Sequence, residues 1–325
     1  MAAKRIYSSG RGTQDHNPQQ VYRAYERITM QEYPGVETQV GAQFWGTSDL
    51  KTDGLHNEVM FHTGLLGQAA DLGDDVRASV PMATYQTIDQ VISNWKIVGI
   101  GFEYSPEEIE DDLYDIVAPK VADLPRLLTD KEEDEHFYVY NNGETITSGV
   151  WGDPLFVDGA SAYLQLVGQP GVNYGSNIIT TAGGVSYHLI NQAEQYGENF
   201  ISEEGRISPL RIVKILCSPM NADLLRVYYG ASSNIEQSNP NLPNPTDYTP
   251  EIVATHRLAN PNDIIFFYEG WEQDLKEHEK YRSRSQTDQV GWLNQKKMVT
   301  ITRSRFGYYW HFNRRVVLAK GAATA

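Results

Sequence analysis

Apolar residues recur at helical spacing in three stretches of the chain. The first runs from Ser105 to Gly143. Ser105 suits an N-cap, Pro106 a first helical residue, and Glu108 the partner position of a capping box. Ile109, Leu113, Ile116 and Val117 follow as one apolar stripe. Pro119 should end or bend this piece, because it lacks an N–H and crowds the preceding turn. A second piece starts near Pro125, carries Leu127, Leu128 and a charged run, and reaches Tyr140, with Asn141-Asn142-Gly143 as a left-handed stop. The second stretch, Gly184–Gly205, puts Val185, Leu189, Ala193, Tyr196 and Phe200 on one face and offers Gly205 as its C-cap. The third begins at Ser218-Pro219, turns Leu224, Leu225 and Tyr228 inward, and ends at Gly230.

Strand composition marks much of the remainder. Val80–Thr87 qualifies, as does Val91–Phe102 with Val91, Ile92, Trp95, Ile97, Val98 and Ile100. Pro209–Cys217 and Asp263–Glu269 read as buried strands. Lys297–Thr302 and Tyr308–Leu318 read as a closing hairpin turning around Ser304–Gly307. Glu58–Leu66 suits a strand or a turn of helix, Trp271–Thr287 suits either state, Val21–Met30 a short helix, and Tyr33–Phe44 an extended run. Residues 1–20 read as an extended arm, Glu144–Gly175 as loop and strand, and the proline-rich Ala231–Pro250 as an exposed irregular loop. Helix, strand, short loop and helix across Gly184–Gly230 make one α/β layer. Gly67–Asp75 is small and acidic, so the region around it reads as a long β excursion with little core of its own. Such an excursion exposes strand edges unless another chain covers them, which points to obligate assembly.

Composition narrows the class. A chain of 325 residues, 40% hydrophobic and 11% aromatic, can bury a sizeable core in one large domain or two. It has no run of about 18 apolar residues, and its N-terminus lacks the apolar stretch of a secretory signal. Cys217 is the single cysteine, lies in an apolar run, and reads as a buried thiol; the features together fit a cytosolic origin. The net charge of −15 is uneven: +3 over residues 1–27, −26 over 28–275 and +8 over 276–325. Basic ends can neutralise an acidic middle within or between subunits, and an acidic body argues against gripping duplex phosphates.

Catalytic signatures are weak. Gly99-Ile-Gly101 has no third glycine and no phosphate-binding helix in register. Gly73-Asp74-Asp75 reads as an acidic turn rather than a metal pair, and Glu277-His278-Glu279 as a surface triplet. Gly184-Val-Ser186 lacks the closing glycine of a nucleophile elbow. Asp130–Glu135 reads as a solvated helix face. No catalytic, cofactor-binding or metal-binding residue is assigned, and no cofactor is expected. Arg303–Arg315 interleaves basic and aromatic residues as single-strand stacking platforms do. The simpler reading is a hairpin whose aromatics pack inward and whose arginines meet acids.

The order of segments resembles the major capsid protein of tailed bacteriophages, the Hong Kong 97 type. The residues carrying the resemblance are Ser105–Asp112 leading into the long helix, Glu135–Gly143 closing it, Val185–Tyr229 as helix, strand and Ser-Pro-started helix, and the closing Met298–Arg303 and Arg314–Leu318. The resemblance implies an α+β fold with an N-terminal arm (1–25), an extended β-hairpin E-loop (58–103), a P-domain (26–57, 104–150 and 291–325) with a spine helix over 105–143, and an A-domain (151–290). It implies a structural protein, not an enzyme, that self-assembles into hexamers and pentamers of an icosahedral virion shell around double-stranded DNA, without sequence specificity. Scaffold, portal and decoration proteins are the further partners it implies, with no membrane and with assembly in the host cytoplasm. No scaffold-like segment precedes the arm, so a scaffold would be a separate protein or one already cleaved away. Some relatives cross-link through an E-loop lysine; Lys96, the lysine of 58–103, lies past the expected tip, so no cross-link is expected. The alternatives are an encapsulin-like nanocompartment shell and, behind it, a single-stranded nucleic-acid-binding protein.

Overall fold

Pro119 and Pro125 lie inside one helix, not at the ends of two. In the computed structural model, which describes residues 39–47, 57–62, 87–92, 95–105, 117–147, 154–158, 176–180, 185–200, 207–230, 248–288, 298–310 and 313–321, α1 runs over Val117–Asn141. Pro119 falls in its first turn, where the missing N–H has no intrahelical acceptor to lose. Pro125 is interior and buried, and Thr129 Oγ1 donates to its carbonyl at 2.9 Å. An interior proline costs about 3 kcal/mol, so packing must override propensity here: Val121, Leu124 and Leu128 are 0–4% exposed. The helix stops by an N–H of Asn142 on Tyr138 O (3.0 Å), doubled by the Asn142 side chain (2.9 Å). Gly143 is not left-handed as expected. It is needed for space, because a Cβ there would stand 2.5 Å from Phe156 Cδ2.

The chain divides into two units: the described residues of 1–43, 95–136 and 279–307, and those of 44–94, 137–278 and 308–325. The first is built on β4 (Trp95–Tyr104) and β10 (Met298–Trp310), antiparallel from Met298↔Tyr104 to Gly307↔Trp95. This corrects the expected closing hairpin. Ser304–Gly307 is mid-strand, because the non-local partner supplies a continuous ladder that Arg303 and Gly307 do not interrupt. β9 runs over Leu275–Asp288, and within the second unit β1 (Gly46–Thr47) pairs parallel with its start, Gly46↔Lys276 and Thr47↔Glu277.

The second unit is built on five strands in the order β5-β11-β8-β6-β7: Ile178–Thr180, Val316–Lys320, Ile264–Tyr268, Ile212–Cys217 and Glu251–Ala254. Two helices, α2 (Tyr187–Glu198) and α3 (Pro219–Gly230), join one core with Ile215, Cys217, Phe266, Tyr268 and Val317 of the sheet. The opposite face meets Phe44, Tyr140 and Trp271, the last on the short α4 (Trp271–Asp274). Coverage of both faces is why β8 reads IIFFY without alternation and is buried at every position. α2 ends at Glu198 with Asn199 as its C-cap, not at Gly205, which lies outside the described residues. Leu224 points outward at 55% exposure, and Ala222 and Tyr229 join Leu225 and Tyr228 inside. Residues 41–44 form a 3-10 turn rather than extended chain. Pro250, expected exposed, is buried.

β2 (Asn57–His62) and β3 (Thr87–Ile92) pair antiparallel as a two-stranded sheet of their own, in register from Asn57↔Ile92 to His62↔Thr87. These two strands are the described part of the segment expected to form a long β excursion. The arm, the helix of 21–30, Gly67–Asp75, the helix start at 106–116 and most of 231–250 lie outside the described residues.

Candidate functional site

Among the described residues the weak catalytic motifs do not assemble into a site; Gly73-Asp74-Asp75 and Gly184 lie outside those residues. Ser186 is the N-cap of α2, its Oγ accepting from Leu189 N at 3.2 Å. Gly99 and Gly101 sit in β4 opposite Arg303 and Ile301, so they line a strand ladder and not a phosphate loop. Cys217 is fully buried and burial pushes its thiol up to about 12. Among the described residues no group of three His, Cys, Asp or Glu could hold a metal, and no helix is long and apolar enough to cross a membrane.

Glu277 and His278 are not a surface pair: they are 8% and 1% exposed in β9. Burial lowers the His278 imidazole below its ordinary 6.5. The folded chain then binds this proton more weakly than the unfolded chain does. Its contribution to stability is complete above about pH 6.5 and falls as pH drops toward the lowered folded value. His278→Gln should flatten the decline of the thermal midpoint between about pH 7.5 and 5.5; an unchanged slope would remove His278 from that decline.

The acidic run of α1 is partly structural. Glu132 is 0% exposed, and its Oε2 accepts from Gln39 Nε2 at 2.7 Å. Glu133 Oε1 accepts from the backbone N–H of Val40 at 2.9 Å. Glu135 meets Lys131 at 3.2 Å and Lys96 at 3.5 Å. Two of the carboxylates therefore anchor the chain entering from the N-terminal side, while Asp130 and Asp134 are exposed.

The described aromatics of the basic–aromatic stretch are too buried to stack bases. Phe306, Tyr308, Tyr309 and Trp310 are 0–5% exposed. Tyr308 packs on Trp45 with centroids 4.5 Å apart. Arg315 pairs with Asp274 at 3.3 Å, and Arg314 lies over Phe200. This excludes the stacking-platform reading for these residues.

Sequence reasoning missed Asn177. Its Nδ2 donates to the carbonyls of Leu155, Asn313 and Val316 at 2.9–3.0 Å, and its Oδ1 accepts from Val157 N at 2.6 Å. It is 4% exposed and stitches residues 155–157 to the start of β11. Nothing in a lone Asn beside a glycine-rich loop signals this. Asn177→Ala leaves several buried polar groups unpaired and should cost about 2–4 kcal/mol, read as a lowered urea midpoint at unchanged m-value.

Among the described residues, an outward stripe on α3 of Met220, Leu224 and Val227 is exposed. No family model matches the chain, and no curated protein matches it. Solved structures do. A chain of Microbacterium phage Oxtober96 is similar at TM-score 0.52 and 12% identity, over 87% of this chain and 91% of that one. One of Mycobacterium phage Patience gives 0.54 and 10%, over 93% and 88%. The capsid of an empty GTA particle, computed with C5 symmetry, gives 0.54 and 11%, over 88% and 90%. The last of these is a capsid, and this chain shares the α+β fold of all three. At such identities the likeness is one of fold, and it extends over almost the whole of each chain.

Proposed function

We propose that the protein is the major capsid subunit of a tailed phage, self-assembling into hexamers and pentamers of an icosahedral shell around double-stranded DNA. The observation that carries this is the fold likeness, which covers about nine-tenths of both chains. Residues 1–25 are then the N-terminal arm. The β2–β3 ribbon with β4 is the E-loop of 58–103, lying on a neighbouring subunit. α1 is the spine helix of 105–143 within a P-domain of 26–57, 104–150 and 291–325. Four strands of the five-stranded sheet, β5, β6, β7 and β8, with α2 and α3 belong to the A-domain of 151–290, and β11 joins that sheet from the P-domain segment 291–325.

The acidic body suits an inner wall that contains DNA without gripping it. Lys96 pairs with Glu135 from β4, outside the ribbon, which supports a shell without lysine cross-links. The phage and GTA neighbours favour a virion over a nanocompartment. Scaffold, portal and decoration proteins are the further partners of this reading, and the host cytoplasm its place of assembly.

Electron microscopy and sedimentation of the purified chain test it, alone and with its candidate scaffold. Shells tens of nanometres across, or rings of five and six, are expected. A monomer under every condition would overturn it.

A further inference from the structure

α3 is apolar on both sides. Its inner face, Ala222, Leu225, Tyr228 and Tyr229, belongs to the core under the sheet. Its outer face carries Met220, Leu224 and Val227 at i, i+4 and i+7, exposed at 63%, 55% and 59%. α2 covers the same sheet face and is an internal comparison: its outward residues His188, Gln195 and Glu198 are polar. A helix with apolar stripes on two opposite faces has a second face suited to burial, here bordered by the polar Asp223 and Arg226. Three large apolar side chains in one stripe are also more than the scattered exposure of an ordinary surface.

The flank of the stripe adds a charge argument. Asp223 and Arg226 pair at 3.2 Å, so the border carries no net charge. Residues 28–275 carry −26, so two copies repel over much of their surface. They approach most easily where charge is already neutralised. The chain's own next segment, 231–247, holds only Ile235 and Leu242 as large apolar residues, a poor cover for three.

We infer that the outer stripe of α3 packs against a second copy of this chain within the assembled ring. This rests on the shell-subunit reading, in which copies surround one another cyclically, as in the GTA capsid computed with C5 symmetry.

Leu224→Cys provides the test. Cys217 is buried with its thiol pushed up to about 12, so it stays silent toward maleimide at neutral pH. Residue 224 should label freely in dissociated subunits and at least about tenfold more slowly in shells. Leu224→Asp should keep the thermal midpoint of the subunit and form no shells. Equal labelling in subunit and shell would overturn the inference. Protection in both would place a segment of the same chain on the stripe, and overturn it too. Leu224→Asp assembling at normal yield would do the same. Failure of the unsubstituted chain to form shells is a different result, and overturns the shell reading itself.

Discussion

With residues 63–86 removed and His62 joined to Thr87 through an Asn-Gly turn, the subunit is expected to stay folded and soluble but to form no shells. The register makes the splice possible. His62 and Thr87 are directly opposed partners at the open end of the β2–β3 ladder, where a two-residue type I′ turn closes antiparallel strands. The ribbon is a sheet of two strands, a size marginal in water without a surface to lie on. The proposed shell supplies that surface as a neighbouring subunit. The removed segment includes the small, acidic Gly67–Asp75, which offers no core residue but Leu72. Its loss should shift the thermal midpoint by less than about 2 °C, the effect of under about 1 kcal/mol in a chain of this size. Calorimetry checks the first expectation and sedimentation with electron microscopy the second. Shells at normal yield would take the ribbon out of assembly.

What the sequence made legible is what local pattern controls. β6, β8, α2 and α3 were visible because each buries a face, or two, against one continuous core, so apolar spacing and burial coincide. The ribbon was legible only in part: Glu58–Leu66 read as strand or helix turn, and β3 falls across the junction of the strands read at Val80–Thr87 and Val91–Phe102.

The misreadings share a cause, which is contact between residues far apart in the chain. Pro125 signals a break until the packing of Val121, Leu124 and Leu128 outweighs it. Ser304–Gly307 signals a turn until Trp95–Val98 of β4 pair with it. Glu132 signals solvent until Gln39, 93 residues away, donates to it. Glu277-His278 signals solvent in the same way, although β9 buries it. On α3, Leu224 and Leu225 stand about 100° apart around the helix, so both cannot point to the centre of one core. Pattern alone does not say which one wins. The winner, Leu225, belongs to the fold; Leu224 is left for the surface, where the assembly reading gives it work. Asn177 had no pattern at all, since its role is set entirely by three carbonyls brought to it from elsewhere.

Phe267→Ala should fail differently from the assembly variants. Phe267 is 0% exposed in β8, on the sheet face away from α2 and α3. Its ring lies 4.9 Å from that of Phe44, 5.2 Å from Trp271 and 5.8 Å from Tyr140. Three separate chain segments therefore meet on one side chain, and Tyr140 OH further fixes Phe44 through its carbonyl at 2.6 Å. Truncation leaves a cavity that these rings fill poorly, because each is held by its own strand, turn or helix end. The expected loss is about 3–5 kcal/mol, out of a total that for most domains is about 5–15 kcal/mol. Phe267→Leu, which keeps most of the volume, should lose about 1 kcal/mol. Urea denaturation separates the two. Phe267→Ala should abolish shells only because it abolishes the subunit, with insoluble chain or a sharply lowered midpoint. The shortened ribbon and Leu224→Asp should abolish shells at an unchanged midpoint. If the Phe267→Ala midpoint matched that of the unsubstituted chain, the ring cluster would not be a core. If the ribbon and Leu224 variants unfolded along with it, those surfaces would belong to the fold of the subunit rather than to its assembly.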